Sequence, residues 1–141
     1  MTAYDKALSL LAVREHNRRE LSDKLVNKGF KVSETEEALD RLENEGYLSD
    51  RRYCQSYLRS RLRRNPEGKQ LLIMRLCQKG VDRKTAREET ELYFEEHEEE
   101  IAAIYSDYSE RLLKTKGDEK ANLTLLRKGI KIQCSQLKTS P

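Results

Sequence analysis

A triplet of Lys, Gly and an apolar residue recurs three times in this chain, as Lys28-Gly29-Phe30, Lys79-Gly80-Val81 and Lys128-Gly129-Ile130, with glycines 51 and 49 residues apart. Each Gly has a Leu four residues before it and an apolar or small residue eight before it. These are Leu25 and Leu21, Leu76 and Leu72, and Leu125 and Ala121. Self-similarity at a nearly fixed period restricts the chain to repeat architectures. Residues four apart share a helix face. A Gly just past a helix supplies the left-handed residue that closes it. The Leu four before then meets the apolar residue after the Gly. The Lys falls in the last turn, where the helix dipole favours a cation. The spacing predicts contacts of Leu25 with Phe30, Leu76 with Val81 and Leu125 with Ile130. A helix ending accounts for the whole triplet better than a phosphate-binding Gly loop does.

Helical periodicity runs through the rest, and alternating strand patterns are absent. A first helix is predicted over about Ala3–His16, with Tyr4, Leu8, Leu11 and Ala12 on one stripe. Asn17 with Glu20, and Ser33 with Glu36, have capping-box spacing and open the second and third helices. The third, with Ala38, Leu39 and Leu42 inward, ends at Gly46. Ser49 or Asp50 opens a fourth, which Asn65-Pro66 interrupts. A fifth ends at Lys79, and Asp82 caps a sixth. A break near Glu95–Glu99 separates the sixth from a seventh bearing Ile101, Ile104, Tyr105, Tyr108 and Leu112. Gly117-Asp118 opens an eighth, and a short ninth is expected over about Ile132–Leu137. Asn17, Gly68 and Gly117 fall at the same register, four before Leu21, Leu72 and Ala121. The predicted fold is all-α, with three tandem three-helix units (1–47, 48–96 and 97–141) in an elongated, curved stack.

Composition suits such a stack. Charged residues make up 38% and hydrophobic residues 36% of the chain, so each unit's core is thin. A net charge of +3 and clear periodicity argue against disorder. Cys54, Cys77 and Cys134 are scattered, and His16 and His97 stand alone, so zinc-ligand spacing is missing. Free thiols imply a reducing compartment. No run approaches the ~18 apolar residues of a membrane span, and Ala7–Val13 is too short for a signal peptide. A soluble, cytoplasmic protein is expected.

Charge is unevenly distributed. Arg51 to Arg64 holds six Arg and no acid, whereas Glu88 to Glu100 holds eight Glu and no Lys or Arg. A basic part and an acidic part are therefore expected. On a helix, Arg52, Arg59 and Arg63 form one stripe opposite Cys54 and Leu58, with Arg64 at its end. Arg61 turns toward the apolar side and is expected to pair internally. The stripe suits phosphate or carboxylate recognition. A solvated face is the plain alternative, and fourteen residues without an acid tilt the balance toward binding. Lys28, Lys79 and Lys128 recur at equivalent places and suggest a second ladder of charge. The Glu run balances a basic neighbour or repels nucleic acid. No nucleophile–base pair, catalytic carboxylate pair or metal set is visible.

Arg19–Asp50 also resembles a winged-helix DNA-binding core, the alternative being a transcriptional regulator. A hairpin wing should then follow, where the chain instead has an arginine-rich helix. Taken in order, Glu20-Leu21, Leu25, Lys28-Gly29-Phe30, Gly46-Tyr47-Leu48-Ser49-Asp50, Tyr53, Tyr57, Arg61, Gly68, Leu72, Leu76 and Lys79-Gly80-Val81 resemble the RecX family of recombinase regulators. The resemblance covers about Tyr4 to Ile130. It implies a monomer of tandem helical units with no catalytic activity and no cofactor. Its implied partner is the RecA recombinase filament on single-stranded DNA, whose ATPase and strand-exchange activities it modulates, mainly by inhibition. Two departures stand out: a short final segment after Gly129, and Asn65-Pro66-Glu67 where basic residues often precede the Gly equivalent to Gly68.

Overall fold

The computed structural model describes residues 1–131, which form eight α-helices and no strand. These are α1 (Ala3–Val13), α2 (Arg18–Asn27), α3 (Val32–Asn44), α4 (Asp50–Arg64), α5 (Lys69–Lys79), α6 (Arg83–Glu96), α7 (Glu98–Lys116) and α8 (Asp118–Arg127). The expected ninth helix lies outside the described residues. With α4 a helix, no wing follows the first unit.

The triplets close helices as their spacing predicts. Phe30, Val81 and Ile130 donate backbone N–H bonds to Leu25, Leu76 and Leu125 at 3.2, 3.1 and 3.0 Å. The intervening glycines have φ of +99°, +117° and +71°. Both marks define the Schellman ending. The paired side chains share a core in each case, Leu25 with Phe30, Leu76 with Val81, and Leu125 with Ile130. Gly46 closes α3 the same way, with Tyr47 N–H on Leu42 O at 2.9 Å.

Helix starts are less uniform. Asn17, Ser49 and Asp82 cap α2, α4 and α6 through their side chains. Glu20 does not complete a capping box with Asn17, because its carboxylate binds Arg14. Ser33 is not a cap: α3 starts from Lys31, with no side-chain cap bond. The ending of α2 occupies Gly29 and Phe30, and only Lys31 remains to turn the chain into α3. The first helix stops at Val13, not His16, because Arg14 is extended (φ −163°) and His16 and Asn17 are buried in the corner before α2. Ala12 is exposed, and the buried face of α1 is Ala3 and Ala7, flanked by half-buried Tyr4, Leu8 and Leu11.

Each unit has its own core. The first joins Ala7, Leu21, Leu25, Leu39, Leu42 and Leu48. The second gathers Leu58, Leu62, Leu72, Leu76, Val81 and Ala86 among others, and the third Leu112, Ala121, Leu125 and Ile130. The helix break falls at His97, as the interrupted stripe predicts. Yet α7 serves two cores. Ile101 and Ile104 pack into the second unit, Leu112 into the third, and Tyr105 touches both.

One joint is used twice between units. The Asn17 Nδ2 amide, at the start of α2, donates to Lys79 O at the end of α5 (3.1 Å). The Gly68 N–H, at the start of α5, donates to Lys128 O past the end of α8 (2.8 Å). Helices α8, α5 and α2 therefore meet end to end, positive pole against negative pole. Further ties between the first two units are Arg18 N–H to Asp50 Oδ1 at 2.8 Å and an Arg52–Glu15 ion pair.

Candidate phosphate-binding face

Helix α4 carries the six arginines of the acid-free run, and the structure sorts them by partner. Arg51 bonds Glu89 at 2.6 Å and reaches Glu88 at 3.3 Å. Arg52 pairs with Glu15 and donates to Tyr47 O at 2.9 Å. Arg61 turns inward, as its position predicts, and bonds Glu67 at 3.0 Å, while Arg75 holds the other oxygen at 2.9 Å. Burial pushes the Glu67 carboxyl up, but hydrogen bonds from Arg75 and Arg61 outweigh it and hold the group below its ordinary range. Tyr105 Oη donates to Glu67 O at 2.7 Å, which ties α7 to this ion cluster. Arg63 has only a loose contact with Glu100 at 3.8 Å. Arg59 and Arg64 form no ion pair among the described residues.

These last three arginines share a groove of about 340 Å³ with Ser56 and Ser60. Only arginine and serine residues line it. The i, i+3 and i+4 spacing puts all five side chains on one helix face. Sequence reasoning misses the two serines; their signal is the Ser-x-x-Arg spacing within the stripe. Arg59 also borders a smaller cavity of about 220 Å³ with Gln55, Glu89, Leu92, Tyr93, Glu96 and His97. The basic and acidic runs are thus neighbours in one unit, not separate ends of the molecule. Glu88, Glu89 and Glu100 reach α4, while Glu95, Glu96, Glu98 and Glu99 are exposed.

The recurring lysines occupy unlike surroundings. Lys28 and Lys79 are exposed at helix ends. Lys128 is partly buried, bonded to Asn65 Oδ1 and to Tyr108 Oη (2.9 Å), with its ammonium 4.5 Å from the Tyr108 ring centre. It serves the joint between units two and three. Cys54 is buried, and burial pushes its thiol up to about 12; Cys77 is a free, half-buried thiol. Cys134 lies outside the described residues. Among the described residues no His, Cys, Asp and Glu group could hold a metal, and no helix is long and apolar enough to cross a membrane.

Residues 3–42 match the first three-helix domain of RecX, and residues 49–88 match the second. The chain belongs to the RecX family. Relatives named regulatory protein RecX are 38% identical over 79 residues in Chlorobium phaeobacteroides, 45% over 80 in Chlorobaculum tepidum and 39% over 80 in Legionella pneumophila. The matches cover 56%, 57% and 57% of this chain, and 52%, 50% and 53% of those relatives. The matched part thus spans about half the length of the curated relatives. The fold extends further. A RecX crystal structure from Lactobacillus salivarius aligns over 97% of this chain and 90% of that one, with a TM-score of 0.73 at 22% identity. Another crystal structure of regulatory protein RecX aligns over 96% of this chain and 69% of its own, with a TM-score of 0.75 at 19% identity. The tandem helical fold of the described residues is therefore a RecX fold.

Proposed function

We propose that this RecX-family chain binds the RecA recombinase filament on single-stranded DNA and lowers its ATPase and strand-exchange activities. The observation that carries the reading is the groove of Ser56, Arg59, Ser60, Arg63 and Arg64, which no acidic and no apolar residue lines. Guanidinium and hydroxyl groups in that spacing suit successive phosphates of a nucleic-acid backbone. Units joined in series suit contact with several filament subunits. The acidic corner at Glu95–Glu100 beside the groove would weaken binding to naked DNA and leave affinity dependent on the protein part of the filament.

Titrating the chain into a cognate filament tests this. ATP hydrolysis and strand exchange should both fall as it is added, and unchanged rates would overturn the reading.

A further inference from the structure

The α4 groove leaves a second surface unexplained at the other end of the chain. Between the last turn of α7 and the face of α8 lies an open groove of about 490 Å³, lined by Thr115, Lys116, Lys120, Leu123, Thr124 and Arg127. Leu123 is 61% exposed, and Leu126, on the same helix face, 76%. Two bare leucines three residues apart stand out in a chain with so few apolar residues to spare.

Repeat register shows that two counterparts of these positions stay partly exposed beside a third helix. Leu126 lies three before Gly129, as Val26 lies three before Gly29; Leu123 lies six before Gly129, as Met74 lies six before Gly80. The first two units have their third helices, α3 and α6. Val26 and Met74 nevertheless remain 40% and 45% exposed. Val26 and Met74 thus stay partly open beside a third helix, whereas Cys77, three before Gly80, packs against the second core. Units one and two place Asp23 and half-buried Cys77 at the companion positions, so only α8 presents two leucines together.

The rim is cationic. Lys116, Lys120 and Arg127 line the groove with Leu123, no acid lines it, and no ion pair reaches these three among the described residues. The threonine hydroxyls are committed to their own helices, Thr115 to Arg111 O and Thr124 to Lys120 O, both at 2.9 Å. The groove therefore offers an apolar strip and charge, with little else.

We infer that this groove docks an acidic amphipathic segment of a partner protein. Apolar side chains at i and i+3 or i+4 of the segment cover Leu123 and Leu126, and its carboxylates meet Lys116, Lys120 and Arg127. The exposed leucines distinguish it from the α4 groove, whose lining residues are only Ser and Arg. The two surfaces let one chain hold nucleic acid and protein together, and the α8 assignment stands independently of the α4 reading.

The test titrates the full chain with a labelled synthetic helical peptide, Leu on one face and Glu on the other, followed by fluorescence anisotropy. Peptides with Lys in place of Glu, and of Glu alone, are run beside it. The acidic amphipathic peptide should bind best, and Leu123→Asn with Leu126→Asn should weaken it about tenfold, as loss of a central apolar anchor does. Lys120→Glu with Arg127→Glu should act similarly, Arg59→Glu with Arg63→Glu should not, and circular dichroism should confirm unchanged helicity. Equal binding of the Glu-only peptide would reduce the site to charge attraction and overturn the proposal. So would displacement of the peptide by a single-stranded oligonucleotide acting through Lys120 and Arg127. Tighter peptide binding on replacing Ile132 and Leu137 with Asp would show that the chain's own last residues occupy the groove, which also overturns it.

Discussion

Gly68 and Lys128, from different units, are joined by a backbone hydrogen bond of 2.8 Å. The approach is so close that a Cβ on Gly68 would lie 1.9 Å from Gly129 O. That neighbour is backbone and cannot rotate away. Gly68→Ala should therefore destabilise by at least the ~1–3 kcal/mol typical of overpacking, and should raise hydrogen exchange at the Gly68 amide. Gly29→Ala is the contrast. It meets nothing within 4 Å, and its cost comes from φ of +99° alone, roughly 1–2 kcal/mol, with the Gly68 amide still protected. Equal exchange at that amide in both variants would count against the joint.

Asn17 does two jobs with one amide. Its Oδ1 accepts from Glu20 N–H at 2.9 Å, and its Nδ2 donates to Lys79 O at 3.1 Å. Asn17→Asp keeps the cap but exchanges the donor for an acceptor facing a carbonyl. A cap alone predicts little change, because Asp and Asn cap equally well. The joint predicts a loss of about 1–3 kcal/mol from an unsatisfied buried group, measured by urea unfolding at neutral pH.

His16 makes stability pH-dependent near neutrality. The ring is buried, with Nδ1 3.0 Å from Arg14 O and Nε2 2.9 Å from Lys24 Nζ. Lys24 donates, so Nε2 accepts and the proton sits on Nδ1. Burial lowers the imidazole pKa below 6.5; the bond to Arg14 O opposes this, and the nearby Arg14 and Lys24 charges add to it. The folded state therefore binds fewer protons than the unfolded one between the two pKa values. Its contribution is complete above about 6.5 and declines as pH falls toward the folded pKa. Unfolding free energy should drop between pH 7.5 and 5.5, and His16→Gln should flatten that drop. An identical slope in the variant would refute the assignment.

The arginines of α4 should separate by partner. Arg59→Glu with Arg64→Glu should weaken binding to DNA-coated filament by tenfold or more, with unchanged helicity. The salt slope on single strands should shrink by about 0.7 for each phosphate that is no longer neutralised. Arg52→Glu should chiefly disturb the ion pair with Glu15, and so cost stability more than binding. If Arg52 and Arg59 variants bind equally poorly, the groove is not the site.

The sequence revealed what depends on near neighbours. Leu25 with Phe30, the break at His97 and the inward turn of Arg61 all follow from spacing within one helix or its ending. What escaped depends on distant residues or on tight connections. Arg52 meets Glu15 across 37 positions, and Lys128 meets Asn65 across 63. Neither partner has a local signal, so Arg52 looks as available for binding as Arg59, and Lys128 as Lys28. Ser33 has the right letters for a cap, but the one-residue link after Phe30 starts the helix earlier. Leu123 and Leu126 carry no local signal of their own, because only the packed structure shows which side of α8 is exposed.

Arrays of this kind lengthen or shorten by copying and cutting, and a cut is tolerated where it leaves each hydrophobic cluster whole. The sharing of α7 sets where that is possible. Severing the chain at His97 would strip Ile101 and Ile104 from the second cluster and leave Leu112 and Tyr108 on a helix with half its anchorage gone. An excised second unit would thus need α7 as far as Tyr105 to be soluble, and a transplanted third unit would arrive with isoleucines made for its neighbour. The true seam for exchange between such proteins lies inside the longest helix, not at the bend where the apolar pattern pauses.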